Sequence, residues 1–164
     1  MKKITAGRKG LITVIVMIIL SLVFFYVLKQ PIDSSYQNII YCVYAIGILW
    51  SLIDYGRTAT SATKFNEYFS EGFKTFIMVT FLMVIYTLII YLCNPQIKEA
   101  KLALNNQMVL QQGDHTPMEI AENAAQLRSI FIPMTLAVYT FVYLVMGALI
   151  TTISSAVIGQ MKKM

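Results

Sequence analysis

The stretch Thr63–Phe76, TKFNEYFSEGFKTF, joins two long apolar runs, and its reading decides the fold. Phe65, Phe69, Gly72, Phe73 and Phe76 recur at helical spacing and share one side of a helix. Asn66, Glu67, Ser70, Glu71 and Lys74 occupy the other. A helix of this kind rests at a membrane surface, with its rings at headgroup depth and its charges in water. The segment is therefore expected to be an interfacial amphipathic helix that bends into the apolar run after it.

Working outward, 57% of the 164 residues are apolar and only 13% charged, and the charges fall outside four apolar runs. A soluble core does not need uninterrupted apolar stretches of about 20 residues, the length that crosses a bilayer as a helix. The chain reads as an all-α integral membrane protein, one domain over residues 1–164. Its four transmembrane helices are expected at about 11–28, 38–55, 73–93 and 131–158. Nucleic-acid binding would need a basic face with readout elements, and none is present. The basic excess reads instead as topology information. Lys2, Lys3, Arg8, Lys9, Arg57, Lys64, Lys74, Lys162 and Lys163 fall on one side of four spans, and only Lys29, Lys98, Lys101 and Arg128 on the other. That bias predicts both termini in the cytoplasm and the amphipathic segment on the inner side.

Leu11–Leu28 has the basic and apolar regions of a signal peptide but no small-residue cleavage pattern, and reads as an uncleaved first span. Pro31 lies in a short outer turn. The second span ends at Asp54, with Arg57 three residues on, where a helical neighbour sits. A boundary ion pair is the reading there, ahead of a proton or ion site. Gly56–Ala62 reads as a flexible strip, and Thr63 as a cap for the amphipathic helix. In the fourth span Gly147, Ala148, Thr152, Ser155 and Gly159 supply small residues for helix packing, with internal contacts favoured over a second copy or another protein. Pro133 is placed to kink its outer junction.

An extended helical hairpin is expected on the outer side, over about residues 95–130. Asn94-Pro95 starts its first arm, where Ile97, Ala100, Leu104 and Met108 share a side. Thr116-Pro117-Met118-Glu119 is a capping box that starts the second, in which Ile120, Ala124, Leu127 and Phe131 keep helical spacing. His115, the single histidine, sits at the tip without companions that would make a metal site. Cys42 and Cys93 are read as buried free thiols, although both lie near the outer ends of their spans and a disulfide is conceivable.

Asp54-Tyr55-Gly56-Arg57, a small polar strip, and then Phe65-x-x-x-Phe69-x-x-Gly72-Phe73 resemble a four-span membrane family of Bacteroidota catalogued as domain of unknown function 4199. Ile85-Tyr86 within the third span and Pro95 just after it match further features of that family, over essentially the whole chain. Tyr68 departs from it, since a smaller residue is expected before the second Phe. The resemblance implies a bacterial inner membrane and no established catalytic residue. It also implies a genomic neighbour, a glycosyltransferase of the kind that loads sugars onto polyprenyl phosphate.

An enzyme needs a nucleophile, an acid–base pair, a metal or a cofactor held in a pocket. No phosphate loop, Ser-His-Asp set or zinc spacing occurs, so no catalytic, cofactor or metal residue is expected. Glu67 and Glu71 read as one hydrated side of a helix. The expected function is a non-catalytic scaffold or accessory subunit that docks or positions a membrane-associated enzyme, for which the resemblance suggests the polyprenyl-phosphate glycosyltransferase. Phe65, Phe69, Gly72 and Phe73 would meet lipid or partner, and Arg57, Glu67, Glu71 and Lys74 would orient it. The alternative is a homo-oligomeric channel, or a transporter of small solutes or lipid, built around the hydroxyl-bearing fourth span.

Overall fold

A computed structural model of the chain describes residues 4–29, 37–60, 63–112 and 116–161. They form α1 (Ala6–Leu22), a π-helical turn (Val23–Val27), α2 (Gln37–Thr58), α3 (Phe65–Cys93), α4 (Pro95–Gln112) and α5 (Pro117–Met161). Among the described residues four stretches, α1 with its π-helical turn, α2, α3 and α5, are long and apolar enough to cross a bilayer. The chain divides into two compact units, one of Met1–Met83 with Phe141–Met164 and one of Val84–Thr140.

In the first unit α1, α2, the first part of α3 and the last part of α5 pack together. The interior is more polar than a soluble core: Lys9, Thr13, Ser51, Thr75, Thr80, Thr151 and Ser155 are buried. Outward-facing positions carry Leu11, Ile15, Ile19, Ile46, Phe81, Phe141, Leu149 and Ile153, all exposed. Water would penalise that arrangement. Hydrocarbon favours it, because lipid tails match the apolar exterior and helices associate through small and hydroxyl side chains. The protein is a multi-pass membrane protein.

Close approaches at glycines set the packing, two of them on α3 and α5. A Cβ on Gly72 of α3 would lie 2.5 Å from Thr151 Cγ2 of α5 and 3.2 Å from a Leu52 methyl of α2. On Gly147 of α5, a Cβ would run into the Tyr44 hydroxyl and stand 2.8 Å from the Phe76 ring. Tyr44 then donates its hydroxyl proton to the Tyr143 carbonyl oxygen at 3.0 Å, tying α2 to α5.

The second unit holds α4, the last turns of α3 and the first part of α5. Tyr91, Leu102 and Phe131 form its buried cluster, flanked by Ile97, Leu127 and Ile132. Pro95 opens α4, as its lack of an N–H suits a first position. The capping box forms: Thr116 N–H donates to the Glu119 carboxylate at 2.8 Å, and Glu119 N–H to Thr116 Oγ1 at 3.4 Å.

Several expectations need correction. Thr63–Phe76 is helical from Phe65, but it continues unbroken to Cys93 as one 29-residue helix, so no separate surface helix bends into the span. No proline interrupts it, and Gly72 serves helix contact. The Gly56–Ala62 strip is helical as far as Thr58. The Thr63 hydroxyl accepts from Thr60 N–H at 3.1 Å, closing a turn ahead of the helix, and it is the Glu67 carboxylate that takes the Lys64 N–H at 3.4 Å. The second hairpin arm and the fourth span are a single helix of 45 residues that runs through Pro133. In α4, Leu104 and Met108 are exposed and Leu102 is the buried anchor, because apolar residues occur on several sides of that helix. Cys42 and Cys93 are free, as read, but exposed on outward helix faces. The tip residues Gly113, Asp114 and His115 and the turn around Pro31 lie outside the described residues.

Candidate functional site

The charges of the first unit concentrate where the start of α1, the end of α2, the start of α3 and the end of α5 meet. Lys9 is buried, and its Nζ lies 2.5 Å from Asp54 Oδ2; the two side chains are 2% and 36% exposed. A lysine is buried only when its charge is met. The local sequence makes room for it: a Cβ on Gly10 would lie 3.0 Å from the Thr75 carbonyl oxygen, so α1 runs close against α3 there. The pair expected between Asp54 and Arg57 is thus formed across helices with Lys9. Lys9 was legible as a basic flank, and only the small residues around it, Gly7 and Gly10, hint at burial.

Hydroxyls continue this interior. Thr75 Oγ1 lies 2.8 Å from Ser51 Oγ and 3.1 Å from the Glu71 carbonyl oxygen, joining α2 and α3. Thr13 Oγ1 donates to the Lys9 carbonyl at 2.9 Å. Tyr68 Oη, Thr151 Oγ1 and Ser155 Oγ are buried without a hydrogen-bond partner among the described residues. Tyr68 is fully buried. Its ring meets Tyr55 edge-on at 5.5 Å and lies within 4.0 Å of where a Cβ on Gly56 or Gly159 would sit. The two glycines make room for the large ring, so this departure from the family pattern is a core anchor.

With Tyr68, Gly72, Thr75, Phe76 and Val79 facing inward, the phenylalanines take another side of α3. Phe65 and Phe69 stack with centroids 6.0 Å apart, Phe69 and Phe73 lie at 6.1 Å, and Phe73 meets Phe76 edge-on at 5.1 Å. Phe65 and Phe73 are 42% and 44% exposed, whereas Phe76 is 3% exposed. The rings form a ladder on the outside of the helix with its last rung fixed in the core. Each adjacent pair of rings contributes about 0.5–1.5 kcal/mol beyond its buried area.

The remaining residues separate. Glu67 accepts from the Tyr55 hydroxyl at 3.3 Å, linking the ladder's helix to the end of α2. Glu71 is half-buried, and Lys74 is exposed. Arg57 lines an apolar groove between α2 and α5. On α5, Gly147 and Ser155 face the interior, Ala148 and Gly159 are half-buried, and Thr152 is exposed.

Neither a curated protein nor a solved structure matches the chain. A family profile does, and it spans nearly all the residues just described, from the start of α1 to the end of α5: across residues 8–160 the chain belongs to the DUF4199 family, a family of proteins of unknown function.

Proposed function

We propose that the protein is a non-catalytic accessory subunit of the bacterial inner membrane, one that docks a membrane-associated enzyme through the ladder side of α3. The observation that carries this reading is the Phe65–Phe69–Phe73 ladder, its end rings exposed and Phe69 half-buried, with Phe73 resting edge-on against buried Phe76. Stacked rings on a rigid helix offer large contact area at little conformational cost, which suits a partner groove or a lipid interface. Glu67 and Lys74 on the same helix supply orientation. The cationic bias toward this side of the spans supports a cytoplasmic placement of both termini. The genomic neighbour that the resemblance implies makes a polyprenyl-phosphate glycosyltransferase the leading partner. A catalytic role would rest on a phosphate loop, a Ser-His-Asp set or a zinc spacing, and the sequence offers none of these. Of the fourth-span hydroxyls that the channel reading draws on, Thr151 and Ser155 are buried within one chain and Thr152 is exposed.

A photo-crosslinking residue at Phe69 of the full-length protein in its native membrane tests this. Capture of a cytoplasmic membrane-associated enzyme is the expected result. Recovery of regular homo-oligomers that conduct solute in liposomes would overturn it in favour of the channel. Placement has its own check: a cysteine at Asn66 is expected to react only with thiol reagents admitted to the cytoplasm, and one at Leu110 with reagents outside. The reverse pattern would contradict the orientation.

A further inference from the structure

Arg57 stands at the junction of two grooves. One, of about 680 Å³, runs between α2 and the end of α5 along Leu49, Ile53, Ile153, Val157 and Met161. The other, of about 470 Å³, follows the opposite flank of α2 along Ile46 and Trp50, with Asp54, the partner of Lys9, also in its lining. Leu49, Ile53 and Arg57 are common to both and form the ridge between them. The small residues Gly56 and Ser154 also line the first groove. Volumes of this size are those of small-molecule sites. The Arg57 guanidinium is exposed and has no ion-pair partner among the described residues, the nearby Asp54 carboxylate being held by Lys9.

We propose that this ridge holds one anionic diacyl phospholipid, its phosphate on Arg57 and one acyl chain in each groove. Two apolar channels that share a single cation at one end match the shape of a molecule with two tails and one anionic head. A guanidinium also fits phosphate oxygens bidentately, which an ammonium does not. The site is independent of the phenylalanine ladder: its apolar walls come from α2 and α5, and a bound lipid there would stiffen the contact between those helices.

Native mass spectrometry of the full-length, delipidated protein tests the assignment, with phosphatidylglycerol and phosphatidylcholine of matched chains offered in equal amounts. The expected result is retention of phosphatidylglycerol over phosphatidylcholine by about fivefold, the discrimination one cation at a membrane surface provides. Arg57→Gln is expected to abolish that preference while both lipids still bind. Val157→Trp, at a position already facing lipid, is expected to lower retention of both by blocking a groove. Circular dichroism and size exclusion identify any variant that fails to fold, and Ile153→Trp then replaces Val157→Trp. Equal retention of the two lipids, or a preference that survives Arg57→Gln, would overturn the site. Lysophosphatidylglycerol held as tightly as the two-tailed lipid would overturn the two-groove arrangement. Displacement of the lipid by free glycerol phosphate would also overturn it, because the grooves would then contribute nothing to binding.

Discussion

The two units each contain an ion pair, and the pairs behave differently. Lys9 and Asp54 meet inside the first unit, with the lysine almost wholly removed from solvent. Arg128 and Glu99 meet at 2.6 Å in the second unit, with side chains 61% and 51% exposed. Removing one partner of a buried pair leaves a charge without compensation, whereas an exposed pair gives up contacts that water replaces. The first unit is therefore organised by polar contacts between helices that its sequence must satisfy together. The second rests on the Tyr91–Leu102–Phe131 cluster, with its charges as an accessory.

The largest effect should come from breaking the buried pair. Lys9→Met is expected to lower the stability of the detergent-purified protein by about 3 kcal/mol, toward the low end for such pairs because Asp54 is partly exposed. The double change Lys9→Met with Asp54→Leu should recover most of that loss in the same thermal unfolding measurement. No recovery would mean that the lysine acts through packing alone. Next in size, Gly72→Ala should cost about 1–3 kcal/mol, since a methyl at 2.5 Å from Thr151 forces α3 and α5 apart. Pairing it with Thr151→Ala should relieve part of the cost, and a purely additive result would remove that contact from the account. In the second unit, Thr116→Ala deletes the capping box and should cost about 1 kcal/mol, read as loss of amide protection in the first turns of α5. The smallest effect belongs to Arg128→Ala, below about 1 kcal/mol and weaker still in high salt. If Arg128→Ala matched Lys9→Met, the contrast between the units would fail.

Much of this architecture is legible in the residues. Four apolar runs give the spans, Pro95 gives the start of α4, and Thr116 with Glu119 gives the start of α5, because each signal is local. The remainder depends on partners far away in sequence. Lys9 looks like any flanking cation until α2 brings Asp54 to it. Tyr68 looks like one more interfacial ring until Gly56 and Gly159, from two other helices, open a space for it. The phenylalanine spacing was legible, but not which side of the helix the core would take; Tyr68, Gly72, Thr75 and Phe76 take it. The face that α4 buries was ambiguous for the same reason, as Leu102, Leu104 and Met108 point to different sides. Arg57 could be assigned to orientation from sequence alone, and only the grooves beside it suggest another use.

The claim on which the functional account rests is that the rings of α3 serve an outside surface and leave the fold to Tyr68, Gly72 and Phe76. The triple change Phe65→Leu, Phe69→Leu and Phe73→Leu keeps an apolar surface and removes the rings. Quantitative crosslinking of this variant in native membranes, beside its thermal unfolding in detergent, measures both halves of the claim at once. The account predicts that partner recovery falls by about tenfold, the equivalent of one modest hot spot, with the unfolding midpoint nearly unchanged. Full partner recovery, or a protein that no longer folds, would contradict it.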